Sequence, residues 1–151
     1  MRTIGVIGGH RASERHSKMA EEVGEGIAKL GRVLVCGGLT GIMEAACRGA
    51  KKTGGKTLGI LPGIDTKEAN RFVDIPVVTG LGLTRNVLVV RNSDLIVAID
   101  GHYGTLSEIS FALQYRIPVI GLETWDIKGV IKTESVGECF KKIKEILSRV
   151  C

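Results

Sequence analysis

Short apolar runs that stop at glycine recur along the chain, and a stretch of helical spacing follows nearly every one. Residues 3–7 form a β-branched run ending at Gly8-Gly9, and residues 33–35 form a second that closes at Gly37-Gly38. Residues 57–61, 95–99 and 118–122 are further runs, with a shorter candidate at 76–78. Between them, Met19, Val23, Ile27 and Leu30 recur at steps of four, four and three, which is one face of a helix ended by Gly31. Residues 41–53 read as a helix with Ala45, Ala46 and Ala50 inward, stopped at Gly54-Gly55. Residues 84–92 and 105–115 give two more helices, the second lined by Leu106, Ile109 and Leu113. A closing helix carries Val136, Phe140, Ile143, Leu147 and Val150, and residues 62–75 read as an irregular loop. Strands that are apolar throughout and alternate with helices imply a sheet buried on both faces. Right-handed crossovers then make it a doubly wound, mostly parallel α/β fold, a Rossmann-like three-layer sandwich. The expectation is a single domain over residues 1–151.

Composition narrows the function. The 151 residues include 21 glycines but only 3 prolines, so the glycines mark tight turns rather than a flexible low-complexity chain. Aromatic residues are only 4% of the chain, too few for a base-stacking platform on single-stranded nucleic acid. The net charge of +5 is spread among acids, and the densest cluster (Lys141, Lys142, Lys144) falls on the outer face of the last helix, so a nucleic-acid partner is not expected. No apolar run reaches the ~18 residues of a membrane span, and the first residues lack a signal-peptide core, which places the protein in the cytoplasm with no membrane partner. Cys36, Cys47, Cys139 and Cys151 contain no C-x-x-C pair, and His10, His16 and His102 complete no zinc ligand set. Reduced structural thiols and no protein-bound metal are the expectation.

In an open parallel sheet, ligands bind at the carboxyl ends of the strands. Three of these ends carry glycine clusters: Gly8-Gly9, Gly37-Gly38-x-x-Gly41 and Gly101-x-x-Gly104-Thr105. Two lead straight into helices, where free N–H groups and the helix dipole suit an anion. Any single cluster is an ordinary turn; three on one sheet edge point to a phosphorylated, nucleotide-like small molecule. His10 and Arg11 are further candidates for anion contact. Ser13 either offers its hydroxyl to the same ligand or caps the following helix. Two familiar motifs are absent. Gly54-Gly55-Lys56-Thr57 looks like the end of a P-loop, but Ala50 stands where the first glycine is required and a strand follows instead of a helix. The first turn lacks G-x-G-x-x-G spacing, and Cys36-Gly37 stands where an acidic ribose ligand would lie, so NAD is not expected.

The stretch from Gly37 to Ala45, taken with the one from Gly101 to Glu108, resembles the LOG-like superfamily and its P-G-G-x-G-T-x-x-E motif. The segment running on to Pro62-Gly63 is most similar to the molybdenum-cofactor carrier branch, and the resemblance extends from the first strand to about Leu122. It implies a carrier binding the molybdenum cofactor. Its alternative is a phosphoribohydrolase that splits a nucleoside 5′-monophosphate, with that nucleotide as ligand. It also implies a homo-oligomer. In the hydrolase reading Glu108 and Arg85 are the catalytic pair, a carboxylate stabilising positive charge on ribose and an arginine holding an anion. The ligand set is Gly8, Gly9, Ser13, Gly37, Gly38, Gly41, Gly101, His102, Gly104 and Thr105. Read from the residues alone, Thr105-x-x-Glu108 is also a capping box and Arg85 an ordinary surface arginine. Asp100-Gly101-His102 replaces P-G-G, and His102 brings a side chain where the motif has glycine. Asp100 puts an anion near the proposed phosphate site.

Overall fold

All five residues of the run Leu95–Ile99 are buried, because helices cover the sheet on both faces. The computed structural model describes residues 2–149. Its strands are β1 (Thr3–Gly8), β2 (Val33–Cys36), β3 (Thr57–Leu61), β4 (Ile75–Val78), β5 (Leu95–Ile99), β6 (Val119–Leu122) and β7 (Ile131–Thr133). The helices are α1 (Glu14–Lys29), α2 (Ile42–Lys52), α3 (Asn86–Arg91), α4 (Tyr103–Gln114) and α5 (Val136–Ser148). The seven strands form one sheet in the order β4-β3-β2-β1-β5-β6-β7, and every pairing is parallel.

Alternation along the strands sorts the core into two layers. Ile4, Val6, Leu34, Leu95, Val97 and Ile99 pack with α1, α2 and α5 on one face. Ile7, Val35, Ile96, Ala98 and Val119 pack with α3 and α4 on the other. The chain builds outward from β1 to β4, then returns to place β5 against the free side of β1. The connections after β1 and β5 therefore leave towards opposite faces, which opens a crevice at their carboxyl ends.

Several boundaries differ from the sequence expectation. Residues 118–122 do not supply the last strand: β7 follows, a three-residue strand too short to show a period. Residues 84–92 are not one helix; a 3₁₀ turn over Gly82–Arg85 runs into α3 at Asn86. The loop at 62–75 contains a short 3₁₀ turn over Thr66–Glu68, and its end contributes Ile75 to β4. Val150 and Cys151 lie outside the described residues. Cys36, Cys47 and Cys139 are buried and free of disulfides. Among the described residues no helix is long and apolar enough to cross a membrane.

Helices α1 and α2 cross closely because glycine stands at the contact. A Cβ on Gly24 would overlap the carbonyl of Ala46, and one on Gly49 would overlap the carbonyl of Glu21. Gly137, in the first turn of α5, has only Ser135 Oγ within 4 Å of such a Cβ, at 3.9 Å. Gly49→Ala should therefore destabilise the fold by about 1–3 kcal/mol through overpacking. Gly137→Ala should stabilise it by roughly 0.5–1 kcal/mol through lower unfolded-state entropy. Urea unfolding of the two variants should shift the midpoint in opposite directions.

Candidate functional site

The crevice between the β1 and β5 ends is a cleft of about 260 Å³. Its floor is the end of β1 with Gly8-Gly9, and its walls are the β2 turn, the 3₁₀ segment before α3 and the first two turns of α4. Gly8, Gly9, Gly37, Arg85, His102, Gly104, Thr105 and Glu108 all line it. Gly38, Gly41, Gly101 and Ser13 do not. Ser13 is the N-cap of α1, its hydroxyl accepting from His16 N at 3.1 Å. Gly41 and Gly101 are needed by the turns themselves: both have positive φ, and a Cβ would strike the Gly9 carbonyl in one case and the Thr105 side chain in the other. Gly104 is different. A Cβ there would meet only Asn86 Nδ2, at 3.8 Å, so packing does not demand glycine, and a larger side chain would project where the cleft is open.

Arg85 is not a surface residue. It is 5% exposed, held at the ends of β2 and β3 by a bond from Nε to the Ile60 carbonyl (2.7 Å) and one from Nη2 to the Gly37 carbonyl (3.2 Å). Nη1 donates to Asn86 Oδ1. A Cβ at Gly37 would stand 2.6 Å from Arg85 Nη2, so this glycine is the space the guanidinium occupies. Asn86 in turn donates from Nδ2 to Ser107 Oγ at 3.2 Å, tying the arginine to α4.

Thr105-x-x-Glu108 is not a capping box here. Helix α4 begins two residues earlier, with His102 as N-cap at φ −114° and no side-chain cap bond. The left-handed conformations fall on Asp100 (φ 50°) and Gly101 (φ 105°), which leaves His102 in a conformation that accommodates its side chain. Thr105 and Glu108 therefore lie inside the helix and face the cleft. Glu108 is 7% exposed; burial pushes its carboxyl up to about 8, against the opposing pull of the Arg85 guanidinium. Burial also lowers the pKa of Arg85, with Glu108 opposing, yet a guanidinium remains protonated under any ordinary condition.

Asp100 is absent from the cleft lining. Its carboxylate lies 3.5 Å from His16 Nδ1, while Glu123 lies 2.7 Å from His16 Nε2 and also pairs with Arg15. Asp100 and Glu123 directly follow β5 and β6, and both hold positive φ (50° and 48°), a strained pair flanking one histidine. Two aromatic side chains adjoin His102. Trp125 Nε1 donates to the His102 carbonyl at 3.1 Å, and the Trp125 and Tyr103 rings are 6.2 Å apart.

Asn86, Leu39, Met43 and Leu83 also line the cleft and were not singled out from the sequence. The apolar three carry no local signal. Asn86 had one: an amide directly after Arg85 and early in a helix, where asparagine is a poor helix former.

The Glu108 shift has a stability consequence of definite sign. Its folded pKa is raised from about 4.5 to about 8, so its contribution is fully present below pH 4.5 and is lost as pH rises through 8. At about 1.4 kcal/mol per pKa unit, the loss is on the order of 5 kcal/mol. Glu108→Gln has no such loss, so its stability advantage over the native protein should grow between pH 5 and pH 8 and then level off, as read by urea unfolding across that range.

Residues 1–147 match the SLOG cluster4 family. A curated relative, an uncharacterized protein of Archaeoglobus fulgidus, is 46% identical over 112 residues, covering 74% of this chain and 73% of that protein. Among solved structures, the molybdenum cofactor binding protein of the phototrophic bacterium Rippkaea orientalis superposes with a TM-score of 0.91 at 39% identity, covering 97% of both chains. The molybdenum cofactor carrier protein of Chlamydomonas reinhardtii superposes with a TM-score of 0.89 at 35% identity, covering 97% of this chain and 98% of that one. With nearly its whole length matched, the chain belongs to the SLOG cluster4 family.

Proposed function

We propose that the cleft binds a small phosphorylated heterocycle and that the protein is a carrier with the molybdenum cofactor as its cargo. The observation that carries this reading is the coincidence of a cleft at the strand switch point, holding the buried Arg85 and Glu108, with overall likeness to two proteins named for that cofactor. The cargo is a pterin bearing a phosphate, and the cleft has a feature for each part. Backbone N–H groups at the start of α4 and around Gly9-His10 suit the phosphate. Glu108 and the N–H groups of Arg85 not used within the protein suit the polar ring. The molybdenum travels with the cargo, so the carrier itself needs no ligand set for it.

A second reading, hydrolysis of a nucleoside 5′-monophosphate, has one observation in its favour: Arg85 and Glu108 meet in the same cleft. The charge state counts against it. A carboxyl held at about 8 is mostly protonated at neutral pH and offers little standing negative charge to a ribosyl cation.

Two measurements separate these readings. AMP or inorganic phosphate should raise the melting temperature by mass action, by several degrees at a hundredfold excess over Kd. Gly104→Val should abolish that shift while leaving the protein folded, because its side chain enters the cleft and not the core. Gly41→Val is unsuitable as a probe, since its Cβ would displace the first turn. An undiminished shift in Gly104→Val would remove the cleft as the binding site. Chromatography of nucleoside monophosphates incubated with the protein should show no release of free base at pH 7. Base release that disappears in both Glu108→Gln and Arg85→Ala would instead establish the hydrolase.

A further inference from the structure

Among the described residues seven polar side chains are buried: Thr57, Arg85, Asn86, Ser93, Thr105, Glu108 and Thr133. Five of them are satisfied internally. Thr57, Ser93 and Thr133 donate to the carbonyls of Phe72, Val89 and Gly121, and Arg85 and Asn86 make the bonds described above. Thr105 and Glu108 have no hydrogen bond to any described residue, and both line the cleft, one helical turn apart on α4. Their oxygens open onto the cleft instead of being sealed in the core, so a ligand bound there is placed to complete them.

The chemistry of that wall is specific. A carboxylate presents two acceptor oxygens and takes two parallel N–H donors well. Arg85 beside it has five N–H groups, of which three are committed to Ile60, Gly37 and Asn86, leaving two for a neighbouring acceptor. The wall therefore reads donor, acceptor, acceptor. We infer that Glu108 and Arg85 together recognise the 2-amino-4-oxopyrimidine edge of a guanine-like or pterin-like ring: Glu108 takes the ring N–H and the exocyclic amine, and Arg85 donates to the oxo group. This rests on the proposal that the cleft holds a phosphorylated heterocycle, and it names which heterocycles fit.

The complementary edge is acceptor, donor, donor, which guanine and pterins share. Hypoxanthine lacks the exocyclic amine and leaves one carboxylate oxygen empty. Adenine presents an amine and an unprotonated ring nitrogen, the wrong order for both residues. A phosphate suits this wall less well than paired N–H donors, because its charge opposes ionisation of Glu108; the loop N–H groups are the better place for the anion. Burial keeps the carboxyl neutral in the empty cleft, and paired N–H donors are the partners that favour its ionised form.

Isothermal titration calorimetry with GMP, IMP and AMP tests the inference on the native protein. GMP should bind about tenfold or more tighter than IMP and AMP, the loss expected when a buried acceptor is left without its donor. Pterin should exceed lumazine, its 2-oxo counterpart, by a similar factor. In Glu108→Gln both preferences should shrink to within about threefold, since the amide supplies only one acceptor. AMP binding as tightly as GMP in the native protein, or a GMP preference that survives Glu108→Gln, would overturn edge recognition and leave the phosphate-binding proposal standing. Failure of all three nucleotides, both pterins and inorganic phosphate to bind would overturn both.

Discussion

A buried guanidinium organises the carboxyl edge of this sheet. Arg85 draws three neighbours together: the carbonyl of Ile60 on β3, the carbonyl of Gly37 after β2 and the side chain of Asn86 at the start of α3. Burying a charge is expensive unless each of its directions meets a partner, and carbonyl oxygens at strand ends are what this fold has available. Gly37 must lack a side chain for the guanidinium to fit, and Asn86 carries the constraint on to Ser107 in α4. The shape of the cleft follows from one arginine and the glycine that admits it.

Arg85 also sets the electrostatics. It is the nearest positive charge to Glu108, yet its pull does not overcome the cost of burying the carboxylate, so the acid stays largely neutral at pH 7. That arrangement stores a penalty in the empty protein that a ligand with suitable donors can remove. Stability and binding are then in tension at one residue, which is a usual mark of a functional position. The strained turns at Asp100 and Glu123 belong to the same edge, and their carboxylates close on His16.

The layered parallel fold was legible in the sequence, and so was the sheet edge at which the candidate cleft lies, because apolar runs ending in glycine have one economical arrangement and a parallel sheet brings all its carboxyl ends to one edge. What local pattern obscured were features produced by distant parts of the chain. The burial of Arg85 depends on the carbonyls of Gly37, after β2, and Ile60, in β3, which only the folded sheet brings near, whereas its own neighbours put it at the start of an expected helix, where an arginine is ordinarily exposed. Thr105 and Glu108 have the spacing of a helix start, yet the left-handed turn falls on Asp100 and Gly101, and the helix begins early enough to rotate both residues into the cleft. The glycine clusters were read as one class, whereas Gly104 borders open cleft space and Gly41 leaves space for the protein's own turn. Strand β7, only three residues long, had no period to detect.

The central claim is that the cleft between the β1 and β5 ends holds a phosphorylated heterocycle, and the most direct measurement is a crystal structure of the protein grown with GMP. The account predicts difference density in that cleft, with the phosphate against the backbone N–H groups near Gly9 and Gly104 and the ring edge against Glu108. Density for the nucleotide elsewhere on the surface, with the cleft holding only solvent at saturating ligand, would contradict it.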